Sequence, residues 1–301
     1  MKAAAGPDWT QQRERSHAWV LRLMVWLSRT FGRRVGRAIL RGIAAYYLLF
    51  AGRARRASRD YLVRALGRPA TWAERYRHMF SFASTVHDRV FLLGGRERDF
   101  AVEVHGAPAL LAACEAGPGA LLVGAHLGSF EVMRAMGRER AGLRVAMAMF
   151  EDNARKINAT LQAINPAAVQ DIIPLGQLDA MITLRDRLDE GCLVGILADR
   201  SVGDEPGALR PFLGEAARFP IGPWRLAAML RRPVFFMTGL YLGGNRYRLH
   251  FEPLADFSDV PRERRQAAID QALDRYVATL ERYTRAAPDN WFNFYDFWRH
   301  P

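Results

Sequence analysis

The chain has 301 residues, of which 50% are hydrophobic, 11% aromatic and 25% charged. That suffices for one large domain or two small ones and excludes disorder, collagen and coiled coil as the main architecture. Cys114 and Cys192 are the only cysteines, which excludes a disulfide scaffold and points to a reducing compartment. The net charge of +12 is unevenly placed, because residues 1–64 hold fourteen cations against Asp8, Glu14 and Asp60 and leave the remainder at +1.

In chain order, the basic segment comes first. Trp19, Leu23, Trp26 and Leu27, then Val35, Ile39, Ile43, Tyr46, Tyr47 and Phe50, recur mostly at three- and four-residue intervals, with Arg29, Arg33, Arg34, Arg37 and Arg41 between or beside them. The pattern predicts one or two amphipathic helices lying in a headgroup layer, aromatics toward the acyl boundary and arginines toward phosphates. The plainer alternative is a helix packed on the body with a solvated arginine face. A spanning helix needs roughly 20 mostly apolar residues. The longest stretch free of Asp, Glu, Lys and Arg is residues 116–130, fifteen residues and glycine-rich, and a span through Arg22 or Arg41 of the basic segment costs about 2.5–3.5 kcal/mol for a central arginine. Anionic membrane lipids are the expected polyanion. Nucleic acid is not, since nothing resembles a helix-turn-helix, a zinc finger or an RNA-recognition sheet. The boundary is set at residues 1–66 for the basic segment and 67–301 for the body.

The body opens with a helix over residues 71–93, then alternates: strand 101–105, helix 107–116, buried strand 120–124, helix 129–137, strand 143–150, helix 153–164, strand 169–173, helix 177–190 and buried strand 192–198. A loop to Phe219 precedes a helix over 223–230. Strands 234–242 and 246–253 pair across Gly243-Gly244-Asn245, and a last helix covers 262–285. Such alternation predicts an α/β fold, a mostly parallel sheet flanked by helices on both faces.

Ligands of open α/β sheets collect beyond the carboxyl ends of the strands. Two strand ends carry candidate chemistry. After strand 120–124, a turn between Gly124 and Gly128 presents His126, and Glu131 follows in the first turn of the next helix. An imidazole there can take a proton while a carboxylate holds its other nitrogen. The glycines admit a close substrate and leave amide donors for an oxyanion. A His-x4-Glu spacing alone is weak, and the plain alternative is a core histidine bonded to a carbonyl. After strand 192–198 come Asp199 and Arg200 on the same sheet edge, and Arg218 follows as a fixed positive charge for a phosphate or oxyanion. These too have a plain reading, a structural Asp–Arg pair. There is no Gly-x-Ser-x-Gly, no cysteine nucleophile and no metal-ligand spacing, so His126 is expected to activate a hydroxyl or amine of a substrate. Finally, six aromatics crowd residues 291–298; they either line an acyl channel or staple the C-terminus to the core.

The ordered set Gly-Ala-His-Leu-Gly-Ser-Phe-Glu, Asp-Arg, Phe-Leu-Gly-x-x-Ala-x-Phe-Pro-x-Gly-Pro and Pro-x-Asn-Trp-Phe resembles the lysophospholipid acyltransferase superfamily. Within it the chain is most similar to the lipid A lauroyl and myristoyl transferase branch, and closer still to acyltransferases of aryl-polyene clusters. The likeness runs from about Ala18 to Trp298. It implies a bacterial enzyme on the cytoplasmic face of the inner membrane, peripheral or shallowly anchored, that moves an acyl chain from a thioester to a hydroxyl or amine of a lipid or glycolipid. The thioester is an acyl carrier protein conjugate (acyl-ACP) or acyl-CoA, a co-substrate, and no cofactor is implied. His126 matches the general base and Glu131 its orienting acid, with Asp199, Arg200 and Arg218 at positions near the donor or acceptor pocket. One departure is that residues 157–170 lack the arginine usual in lipid A enzymes, which bears on the acceptor. The rival expectation is a non-catalytic lipid-binding or assembly factor on the same fold.

Overall fold

The computed structural model describes residues 18–117, 119–141, 144–150, 172–175, 178–200 and 206–298, without the side chains of 18–29, 31, 116, 138–141, 150 and 178. Its helices are α1 (Ala18–Phe50), α2 (Gly52–Leu66), α3 (Trp72–Leu93), α4 (Ala107–Ala116), α5 (Phe130–Ala141), α6 (Leu178–Asp189), α7 (Gly222–Leu230) and α8 (Arg265–Ala286). Its strands are β1 (Ala101–His105), β2 (Ala120–Gly124), β3 (Val145–Phe150), β4 (Ile172–Leu175), β5 (Leu193–Leu197), β6 (Gly207–Phe212), β7 (Glu215–Pro220), β8 (Pro233–Tyr241) and β9 (Arg246–Asp256). The expected helix over 153–164 lies outside the described residues.

Seven strands form one mixed sheet in the order β1-β9-β8-β2-β5-β3-β4. β8, β2, β5, β3 and β4 run in one direction; β9 turns back from β8, and β1 pairs parallel to β9. The central strand β2 is buried along its whole length, and its side chains divide by the two-residue period of a strand. Leu121 and Val123 join a core with α2, α6, α7 and α8. Ala120 and Leu122 join a second with α3, α4 and α5. Helices therefore cover both faces, as the alternating pattern predicts. The start of α3 is local chemistry: Glu74 N–H donates to Thr71 Oγ1 at 3.2 Å, and Thr71 N–H donates to Glu74 Oε2 at 2.8 Å, a reciprocal cap.

Two expectations change. The region read as a loop to Phe219 contains the β6–β7 hairpin, whose two-residue turn puts Leu213 at φ 53° and Gly214 at φ 91°. Both central residues of this turn type need positive φ, and a leucine there carries no turn signal in sequence. Glu281 supports it by accepting the Leu213 N–H at 2.8 Å.

The second change concerns the arginines of α1, which breaks at Gly32 (φ 77°, ψ 175°). Arg33 and Arg37 turn inward to the fully buried Asp88 of α3, with contacts of 2.7 and 2.6 Å. Tyr247 Oη donates to the same carboxylate at 2.7 Å. A buried carboxylate draws in cations because it is expensive to bury unpaired. The outer face keeps Arg34 and Arg41 together with exposed Val35, Ile39, Tyr46, Tyr47, Leu49 and Phe50. No single helix among the described residues is long and apolar enough to cross a membrane, although the pair Gly32–Phe50 and Gly52–Leu66, bent by 90°, passes that test together.

Candidate active site

Parallel pairing decides what meets at the carboxyl edge. Gly124, the last residue of β2, lies opposite Leu197, the last of β5. Two residues further along each strand, His126 and Asp199 face one another. Asp199 Oδ1 lies 2.9 Å from His126 Nδ1, and Asp199 Oδ2 accepts the His126 backbone N–H at 3.1 Å and the Trp291 indole N–H at 3.0 Å. Ala198 N–H donates to the Gly124 carbonyl at 3.0 Å, and Tyr276 Oη donates to the same carbonyl at 2.9 Å, so both strand ends are tied.

The electrostatics derive from this geometry. Burial opposes the Asp199 charge, but the contacts with His126, Arg200 and Trp291 outweigh it and hold the carboxyl well below the usual carboxylate range. An ionised carboxylate only accepts, so Nδ1 of His126 carries the hydrogen and the lone pair lies on Nε2. Nε2 has no hydrogen-bond partner among the described residues, and the ring is 38% exposed while Asp199 is fully buried. Burial, and then the charge of Arg200, lower the His126 pKa; Asp199 pulls the other way. The result is a neutral imidazole with an open basic nitrogen at a strand mouth.

The turn is rigid. Gly128 has φ 75°, and a Cβ there would stand 2.1 Å from the Gly239 carbonyl oxygen, so only glycine fits. Gly128 N–H donates to the Asn290 carbonyl at 2.9 Å and Ser129 N–H to the Gly239 carbonyl at 2.8 Å. With the His126 amide bound to Asp199, these amides are committed, and the free donor expected at Gly128 is not there.

The other expected residues separate. Glu131 does not hold the imidazole; its Oε1 lies 2.7 Å from Nε of Arg89 on α3, and Ser129 Oγ is 3.5 Å from its Oε2. The reason is that the sharp turn at Gly128 carries residue 131 into α5, whereas strand register sets residue 199 beside 126. Asp199, expected to touch substrate, lies buried beneath the imidazole. Arg200 sits close by, donating to the Phe292 carbonyl at 2.8 Å with its guanidinium 5.0 Å from the Tyr295 ring centre. Arg218 belongs to the exposed side of the β6–β7 hairpin, 3.4 Å from the Gly207 carbonyl. Sequence reasoning missed the part of Trp291 in this group. Its aromatic neighbourhood was visible, but not its hydrogen bond across 92 residues.

A groove of about 550 Å³ between β6 and α8 contains none of these residues; Arg210, Asp274, Arg282 and Arg285 are among its lining. Among the described residues, no group of three His, Cys, Asp or Glu could hold a metal ion.

Comparison with protein families matches residues 9–300 to the bacterial lipid A biosynthesis acyltransferase model. The chain belongs to that family. It is an acyltransferase, its substrates an acyl donor and a lipid acceptor, which sets aside the non-catalytic alternative. A search of curated proteins found no match. In this acyltransferase the imidazole of His126 is bonded to Asp199, just after β5, while Glu131 is paired with Arg89.

Proposed function

We propose that this acyltransferase carries a fatty acyl chain from a thioester, acyl-ACP or acyl-CoA, directly to a hydroxyl or amine of a lipid or glycolipid held in the same complex. His126 Nε2 removes the acceptor proton as the nucleophile attacks the thioester carbonyl. The tetrahedral oxyanion collapses, the carbon–sulfur bond breaks, and the thiolate leaves with the proton from the imidazolium. Asp199 holds the ring and steadies its positive charge. Glu131 acts through Arg89, whose charge also lowers the His126 pKa. With the His126, Gly128 and Ser129 amides committed, the oxyanion is assigned to a cationic side chain. Arg89, 32% exposed, is more open than Arg200, 15% exposed. Arg218, on the hairpin, is assigned to the acceptor's polar group. The observation that carries this reading is the 2.9 Å contact between His126 Nδ1 and Asp199 with Nε2 left open.

We further assign the enzyme to the cytoplasmic face of the bacterial inner membrane and, from the ordered motifs, to the aryl-polyene-like branch. Support for the membrane is the outer face of α1, where Tyr46, Tyr47, Leu49 and Phe50 are exposed beside Arg41; such a face enters the acyl boundary while arginine reaches phosphates.

Thiol release from acyl-ACP and acyl-CoA, with lipid extracts as acceptor, tests the reaction. His126→Ala is expected to lower turnover by about 10²–10⁴-fold in a folded chain, and near-native turnover refutes the base. Mass spectrometry of lipids from a deletion strain identifies the acceptor. Flotation with anionic vesicles tests the membrane reading: Tyr46→Ser with Phe50→Ser should release the protein, and unchanged flotation would overturn that face as the anchor.

A further inference from the structure

The last described segment, residues 288–298, lies against the base in several places. Phe292 N–H donates to the His126 carbonyl at 2.8 Å, and the Asn290 carbonyl accepts the Gly128 N–H at 2.9 Å. The Asn290 side chain is clamped to β8, its Oδ1 accepting the Tyr241 N–H at 2.7 Å and its Nδ2 donating to the Tyr241 carbonyl at 3.2 Å. Between them Trp291 is fully buried, its ring edge-on to Tyr61, Phe212 and Phe297. One polar atom of this ring, Nε1, reaches the carboxylate of Asp199.

The Trp291 backbone is held from the opposite side. Its carbonyl lies 2.9 Å from His78 Nε2, and Ser58 Oγ lies 2.8 Å from His78 Nδ1. A carbonyl only accepts, so His78 carries its hydrogen on Nε2 and accepts from the Ser58 hydroxyl at Nδ1. Burial pushes the His78 pKa down to about 4, so the ring stays neutral, in this one tautomer, at neutral pH. Two hydrogen-bonded runs therefore meet at Trp291, Ser58 and His78 on its carbonyl and Asp199 and His126 on its indole.

We propose that Trp291 is a positioning residue for acyl transfer, acting on His126 through Asp199; this rests on the reading of His126 as the base. Two donors on Oδ2 fix the plane of the carboxylate, which leaves Oδ1 aimed at Nδ1. The same donors draw charge out of the carboxylate, so it attracts a proton on the imidazole less strongly than a bare carboxylate does. The indole thus keeps His126 in the Nδ1–H tautomer and neutral in the working pH range. A tryptophan that only filled the core would leave the His126 titration unmoved, because a smaller ring there alters packing and stability without acting on the carboxylate.

The test is Trp291→Phe, which removes the N–H and keeps an aromatic ring. In full-length protein with ¹⁵N-labelled histidine, the His126 titration should move up by about half a unit to one unit. The acid limb of kcat/KM should move with it, and kcat should fall about tenfold while KM stays nearly constant. A measurement on the unaltered chain needs no variant: the Trp291 indole N–H resonance should shift as His126 is protonated, and Asp199→Asn should abolish that coupling. A His126 titration in folded Trp291→Phe that superimposes on the parent, or an indole resonance indifferent to His126, overturns the proposal. Acyl transfer that survives His126→Ala is a separate failure, which removes the base and with it any part for Trp291 in the reaction.

Discussion

Replacing Asp199 by asparagine removes one charge at constant shape, and the hydrogen bonds around that side chain dictate the consequence. The carboxylate accepts from three N–H groups, two at Oδ2 and one at Oδ1. An amide has one accepting oxygen. Placing that oxygen at Oδ2 satisfies the His126 backbone and Trp291, and the NH₂ then faces His126 Nδ1. The ring can meet it only by accepting, which moves its own hydrogen to Nε2 and removes the lone pair that takes the proton. The opposite placement strands two buried donors at about 1–3 kcal/mol each, so the first is favoured. The imidazolium formed during transfer also loses its counter-charge. Two charges about 4 Å apart at an effective dielectric near 20 interact by about 4 kcal/mol, close to a thousandfold in rate. Asp199→Asn should therefore lower kcat by about 10²–10³-fold with KM little changed and melting within a few degrees of the parent. Thiol-release kinetics and thermal denaturation measure both. A folded variant with kcat within about threefold of the parent would refute the reasoning, since neither tautomer nor charge would then matter.

Four further outcomes are expected. His126 binds its proton less tightly in the folded protein than its ordinary value of 6.5, so kcat/KM should be flat at neutral pH and fall only below that value; an acid limb centred above neutrality contradicts this. Burial pushes His78 and His87 down to about 4, and a histidine with a depressed folded pKa binds protons preferentially when unfolded. Stability should accordingly be full above pH 6.5 and decline between 6.5 and 4, read as a falling Tm across that window. Asp88→Ala leaves Arg33 and Arg37 without their buried partner and should cost about 3–5 kcal/mol, seen as early proteolysis in α1; undiminished protection would show that the pair does not dock the helix. Gly128→Ala cannot fit its methyl beside the Gly239 carbonyl, and soluble, active protein from that variant would contradict the geometry of the turn.

Much of the architecture can be read from the chain, because periodicity and caps are local. The buried run of β2 needs apolar residues on both faces, and the Thr71–Glu74 cap marks the start of α3. The β6–β7 hairpin escapes the sequence pattern because a leucine occupies a positive-φ turn position, supported by Glu281 of α8 from far along the chain. Arg33 and Arg37 look like the other arginines of α1 until Asp88 is brought against them. The imidazole of His126 is legible at its strand end between two glycines. Its partner was misassigned to Glu131, five residues away, because spacing along a chain reports neighbours only within one element.

What residues alone determine here is the class of fold, the position of an imidazole at a strand mouth and a membership that makes the protein an acyltransferase. Which carboxylate holds that imidazole depends on β2 and β5 lying side by side in register, a pairing between segments some seventy residues apart. The third partner comes from still further along, through the indole of Trp291. Hydrogen bonds form wherever folding brings donor and acceptor within about 3 Å, and that distance is decided by strand order and turn geometry, which no local pattern encodes.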